Sequence, residues 1–151
     1  METTEKTKQE NKAIDRKFYE YFEKGERDKI ERELWDNNYK VHFPGKSEPL
    51  NIAESKDIMK MFNTAFPDLK FTIEDQIAEG DKVVSRVTTE GTHKGEYQGV
   101  APTGKKVRST VIAINRIVDN KIAERWTELD NLGIMQQIGA IPELETTGNR
   151  S

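Results

Sequence analysis

The chain has 151 residues, 34% hydrophobic and 34% charged, with 24 basic and 27 acidic residues for a formal net charge of −3. That length suits one domain with a sizeable core. The charge balance offers no basic stripe for nucleic acid, and no apolar run is long enough for a membrane span or a signal-peptide core. Cysteine is absent and histidine occurs twice. Disulfides, thiol nucleophiles and thiolate metal sites are thereby excluded, a histidine-rich metal site is disfavoured, and a reducing cytoplasm suits the composition. Met1 to Glu10 and Glu143 to Ser151 are almost wholly polar. We expect a single domain over residues 1–151, with an ordered core at about 10–142 and flexible ends.

Ile14, Phe18, Tyr21 and Phe22 recur at helical spacing and predict a helix from about Lys6 to Lys24, stopped by Gly25. A short helix over Arg27 to Leu34 follows. Tyr39, Val41 and Phe43 alternate with Lys40 and His42 and predict a strand that Pro44-Gly45 stops. Asn51 with Glu54 makes a capping box for a third helix, which buries Ile58, Met59, Phe62, Ala65 and Phe66 and ends at Pro67.

Beyond Pro67 the pattern becomes β. Strands are predicted over Lys70 to Ala78 and Lys82 to Glu90, joined by a tight Glu79-Gly80-Asp81 turn. A glycine-rich loop follows, with a short strand near Glu96 to Gln98. Strands over Val107 to Val118 and Lys121 to Asp130 turn at Asp119-Asn120, and a last helix over Leu132 to Ile138 turns Leu132, Met135 and Ile138 inward. Helices first and an antiparallel meander later define an α+β chain. Period two places Ile122, Glu124, Trp126, Glu128 and Asp130 on one face of the final strand. A face that mixes a tryptophan with three carboxylates either meets water or lines a pocket.

Several segments recur together. They are Ala65-Phe66-Pro67-Asp68-Leu69, Ala78-Glu79-Gly80-Asp81, Gly91-Thr92-His93-Lys94-Gly95-Glu96 and Gly99-Val100-Ala101-Pro102-Thr103-Gly104. Arg116-Ile117-Val118-Asp119-Asn120-Lys121-Ile122-Ala123-Glu124 follows, then Trp126, Asp130 and Gln136-Gln137-Ile138-Gly139. In this order the set resembles the SnoaL-like polyketide cyclases, or ester cyclases, of the nuclear-transport-factor-like fold, over roughly Ile14 to Pro142. The resemblance implies a cone-shaped α+β barrel whose curved, mainly antiparallel sheet wraps around the N-terminal helices. It implies acid/base chemistry on a carbonyl substrate in a hydrophobic pocket, namely intramolecular aldol cyclisation without metal or cofactor. It also implies an acid/base aspartate at the end of the last long strand, which here is Asp130. The fold also hosts isomerases, epoxide hydrolases and non-catalytic ligand-binding or dimerisation modules, so family alone does not fix the reaction.

Each candidate has two readings. Asp130 is the catalytic acid/base or the N-cap of the last helix. Trp126 forms a pocket wall or simply packs in the core. Glu128 partners Asp130 or faces water, and Glu124 is expected at a solvated rim. His42 points to the cavity mouth or lies on the surface. Tyr97 donates to an oxyanion by analogy with isomerases. Arg108, on one strand face with Thr110, Ile112, Ile114 and Arg116, holds an enolate or carboxylate, or lies outside the sheet. His93 is read as part of a structural turn. The apolar character of both faces of Val107 to Val118 predicts a homodimer.

Overall fold

A computed structural model of the chain describes residues 4–143. The flexibility expected of the extreme ends falls largely outside these residues, and helix α1 spans Glu5–Glu23. Thr4 caps it by accepting a hydrogen bond from the Thr7 amide at 3.1 Å. Gly25, at φ +72°, takes the left-handed conformation that ends the helix. Helix α2 covers Arg27–Glu33 and strand β1 Trp35–His42. Helix α3, Ile52–Ala65, carries the expected capping box between Asn51 and Glu54. Strands β2 (Lys70–Glu79), β3 (Lys82–Thr92), β4 (Lys106–Val118) and β5 (Lys121–Leu129) follow, then helix α4 (Asn131–Gln137).

The strands form one sheet in the order β1-β5-β4-β3-β2. The meander β2 to β5 is antiparallel as expected, whereas β1 adds to β5 in parallel, making the sheet mixed. Strand β1 also starts earlier than the alternation suggested. The polar run Asp36-Asn37-Asn38 hides it, and a register irregularity between Trp35 and Lys40 interrupts its alternation. Near Glu96 to Gln98 there is only an isolated bridge between Tyr97 and Val100. In α4 Ile134 is buried, as is Ile138 at its C-cap, while Leu132 is 49% exposed. Asp130 takes the N-cap and shifts the helix frame one residue earlier than expected.

One irregularity decides which side chains face inward. Arg116 pairs with Glu124 and Ile117 pairs with Ile122, so Ala123 is an extra residue on β5. This bulge inverts the alternation. Ile122 faces the core, but from there Arg125, Thr127 and Leu129 face inward and Glu124, Trp126 and Glu128 face outward. The shared face expected for Ile122, Glu124, Trp126, Glu128 and Asp130 therefore does not exist.

The inner sheet face and the helices enclose two apolar clusters. One is built on Phe18, Tyr19, Ile30, Trp35, Tyr39, Val83, Val87 and Ile122, the other on Ala65, Phe66, Tyr97, Val107, Ile134 and Ile138. The outer face carries a row that crosses every strand: Ile77 beside Val84, Ile114, Trp126 and His42. Charged pairs flank it, Asp75 with Arg86 on one side and Arg116 with Glu124 on the other.

Candidate functional site

Between the helices and the inner sheet face lies a partly open cavity of about 100 Å³. Aromatic side chains dominate its wall, which helices α1 and α3 and strands β1 and β2 supply. The period of α1 aims Phe18, Tyr19 and Phe22 at the sheet, where Phe22 meets Phe71 edge-on at 5.0 Å and Tyr19 meets Phe71 at 5.3 Å. Met59, Phe62 and Phe66 line it from α3 and the residue that caps it, and Val111, Leu129 and Ile134 line it from the far side.

One end of this apolar space is polar. Arg125 lines the cavity yet is only 6% exposed. Its guanidinium carbon lies 4.5 Å from the centre of the Phe18 ring and 5.3 Å from that of Tyr19. Its Nη2 donates to the Tyr19 hydroxyl at 3.1 Å and its Nη1 to Asn115 Oδ1 at 3.4 Å. Asn115 in turn donates to Asp15 at 2.6 Å, and Asp15 also accepts from Gln76 at 2.8 Å and from Ser85. The chain Arg125–Asn115–Asp15 thus links a buried cation to a buried carboxylate through one amide, which offsets part of the cost of desolvating each charge.

Burial alone would lower the Arg125 pKa, but the nearby Tyr19, Tyr39 and Asp15 hold it above its ordinary value. Burial raises the Tyr19 and Tyr39 hydroxyls, against the opposing pull of the Arg125 charge. Tyr39 is 3% exposed, stacks on Trp35 at 4.2 Å and lines the cavity. No residue among those described hydrogen-bonds to its hydroxyl.

The residues singled out from sequence lie around this cavity rather than in it. Asp130 is exposed and caps α4, accepting from the Gly133 amide at 2.9 Å. A side chain at Gly133 would press directly on the Asp130 carboxylate, so that glycine gives the acid room. Asp130 directly follows the lining residue Leu129, and its carbonyl accepts from the lining Ser109 at 3.1 Å, which places it at one end of the cavity wall.

Tyr97 is wholly buried beside Phe62 and Phe66, and its hydroxyl donates to Asn131 at 2.5 Å. Burial pushes that hydroxyl up to about 12. Its hydrogen bond positions the start of α4; Tyr97 does not line the cavity. Arg108 is exposed on the outer side of β4, with its backbone bracketed by Gln137. Glu128 is exposed on the outer side of β5.

Trp126 and His42 sit together on the outer face, their rings stacked at 5.2 Å. The bulge at Ala123 is the reason that neither Trp126 nor Glu128 reaches the cavity. Beside them Glu124, expected at a solvated rim, is instead clasped. His42 donates to it at 2.6 Å, Arg116 at 3.2 Å, and Lys40 approaches to 3.8 Å, leaving its side chain 13% exposed. Burial by itself raises the Glu124 carboxyl, but the His42 and Arg116 hydrogen bonds and the Lys40 charge more than reverse this and hold it below the usual carboxylate value. His93 is buried in its loop and held by Thr103 at 3.0 Å, in keeping with a structural turn.

Sequence reasoning passed over Arg125, Tyr19 and Tyr39. A signal was present. Asn11 and Asp15 occupy stripe positions of α1 that an amphipathic helix fills with apolar residues, and Asn115 sits between the inward Ala113 and Ile117. Polar groups at core positions of two elements call for a buried partner.

A mixed sheet curved over helices, with an aromatic cavity between them, defines the α+β cone class of the nuclear-transport-factor-like fold. Within that class the chain belongs to the SnoaL-like polyketide cyclase family, whose sequence profile matches residues 12–138. Similar solved structures agree. AclR of Streptomyces galilaeus, provisionally assigned as a hydroxylase, is 26% identical with a TM-score of 0.83, covering 91% of this chain and 86% of its own. IdmH of Streptomyces antibioticus, provisionally a polyketide cyclase, is 29% identical with a TM-score of 0.78, covering 85% and 98%. A protein of Bacillus cereus, provisionally a polyketide cyclase, is 29% identical with a TM-score of 0.76, covering 91% and 86%. No curated protein matches the sequence. Among the described residues no helix is long and apolar enough to cross a membrane.

Proposed function

We propose that the protein is a cofactor-independent cyclase-type enzyme that binds an apolar carbonyl compound in the aromatic cavity. The observation that carries this reading is the cavity itself, an apolar space with a few fixed polar groups, which is the usual make-up of a small-molecule site. Family membership supports the reaction class, and Asp130, which the sequence resemblance marks as the acid/base, adjoins the cavity wall through its backbone carbonyl. In this scheme the Asp130 carboxylate takes a proton from the carbon beside one carbonyl. The resulting enolate carbon bonds to a second carbonyl of the same molecule. The proton then returns to the new alkoxide, so atoms and charge balance. The test is incubation with a diketone whose ring closure gives a β-hydroxy ketone, followed by chromatography as an isomer of the starting compound, or by ultraviolet absorbance after acid-promoted loss of water converts it to the conjugated enone. Asp130→Asn retains a capping side chain, so the fold stays intact while turnover falls by two orders of magnitude or more. Full turnover by that variant ends the assignment of Asp130.

A second reading, a ligand-binding module without catalysis, draws on one observation: among the described residues Glu90 is the sole carboxylate on the cavity lining, and no histidine lines it. Under that reading the same diketone binds without turning over.

We further propose a homodimer through the outer sheet face. The row from Ile77 to Trp126 is apolar and crosses the sheet, and Ile77 and Ile112 are 64% and 53% exposed. The charged pairs on either side suit a self-complementary contact with a second copy. We place the protein in the cytoplasm, in keeping with its lack of cysteine.

A further inference from the structure

The cavity's polar end asks for a ligand group of its own. A guanidinium carries five N–H donors in a planar fork. Among the described residues Arg125 spends them on two acceptors, Tyr19 and Asn115. Tyr39, against the same void and close enough to feel the Arg125 charge, spends its hydroxyl on none. Asp15, which balances the guanidinium, stands behind Asn115 and does not line the cavity. Among the described residues, no carboxylate is in contact with the unspent donors at this cavity end.

From this geometry we infer that Arg125 and Tyr39 form an anchoring site for a carboxylate at the head of an otherwise apolar ligand. The planar fork matches the two oxygens of a carboxylate, and the Tyr39 hydroxyl supplies one further donor. A phosphate dianion would bring a second negative charge into an apolar space that holds one cation, which disfavours it. The ligand body lies among Phe18, Phe22, Met59, Phe62 and Phe71. The inference rests on the small-molecule reading above and refines it. Arg125 lies on β5 and Asp130 directly follows the strand's last residue, Leu129, so their backbones stand roughly 16 Å apart at about 3.3 Å per residue. One carbonyl cannot touch both. The substrate class is thus an elongated keto acid, with the acid head held at Arg125 and the reacting carbonyl near Asp130.

The test compares decanoate with decan-1-ol, which share a body and differ in the head, by calorimetric titration of the full chain. Decanoate binds about tenfold or more tightly than the alcohol, as a charge-assisted pair in an apolar site requires. Tyr39→Phe removes a hydroxyl with no protein partner, so the fold persists. It weakens decanoate by about threefold to tenfold and leaves the alcohol unchanged, as loss of one hydrogen bond implies. Equal affinity for the two compounds, or a Tyr39→Phe variant that binds decanoate as the native chain does, overturns the anchor while leaving the cavity as an apolar site. Failure of both compounds to bind overturns the anchor and the small-molecule reading together.

Discussion

Replacing Asp15 by alanine tests the buried network that shapes the polar end of the cavity. Asp15 is 1% exposed and accepts from Gln76, Ser85 and Asn115. Gln76 keeps a second acceptor in the Lys12 carbonyl, but Ser85 and Asn115 lie fully buried and lose theirs. Each orphaned donor costs about 1–3 kcal/mol. Arg125 also loses the carboxylate that balances it through Asn115, and breaking buried charge pairs costs about 3–5 kcal/mol. These figures overlap, because the hydrogen bonds and the charge are parts of one interaction, so the expected loss is about 4 kcal/mol. For a chain of this size that lowers Tm by about 12 °C. Asp15→Asn keeps the shape and one acceptor and loses about half as much. Urea titration followed by circular dichroism measures both. The double variant Asp15→Ala with Arg125→Met should lose less than the sum of the single variants, by about 1 kcal/mol or more, because the second change removes the stranded cation. A loss below about 1 kcal/mol for Asp15→Ala, or strict additivity in the cycle, would refute the coupling.

Three further outcomes follow from particular residues. A side chain at Gly95 would be driven into the Thr64 carbonyl, so Gly95→Ala should lower the urea midpoint by the equivalent of about 2–3 kcal/mol, as overpacking against backbone does. Glu124 is held below its ordinary carboxylate pKa in the fold, so its contribution is complete above the unfolded value near about 4.3 and is lost as pH falls through the folded value. The stability gap between the native chain and Glu124→Gln should therefore be constant at neutral pH and close on the acid side; a gap that widens on acidification would count against the clasp. Ile112→Asp, at an outer-face position 53% exposed, should turn a sedimenting dimer into a monomer that keeps the native circular-dichroism spectrum, and should remove the concentration dependence of the urea midpoint; a native chain that sediments as a monomer at micromolar concentration would remove the dimer.

Most of the fold was legible because its boundaries are written in local chemistry. Asn51 with Glu54 starts α3, Gly25 stops α1, and Gly80 and Asp119-Asn120 turn the strands at positive φ. The parallel partnership of β1 was not legible, since pairing with a strand some 80 residues distant leaves no local trace. The site was misread for a smaller reason. Ala123 is an extra residue on β5, and neither a glycine nor a proline marks it. A one-residue insertion exchanges the faces, so Trp126 and Glu128 went outward and Arg125 inward. Arg125 was also hidden by the ordinary expectation that a strand arginine meets water, and its balancing groups come from α1 and β4, Asp15 being 110 residues away in sequence. Asp130 is the cap of α4, and its backbone carbonyl meets Ser109 of the cavity wall.

The central claim is that the aromatic cavity, and not the outer sheet face, receives the small molecule. Methyl-resolved NMR during titration with decan-2-one tests it most directly. The expected result is a set of shifts at the cavity residues Val111, Leu129 and Ile134, with Ile77, Ile112 and Val118 on the outer face unmoved. Shifts confined to those outer-face methyls, with the cavity signals unchanged at saturation, would contradict it.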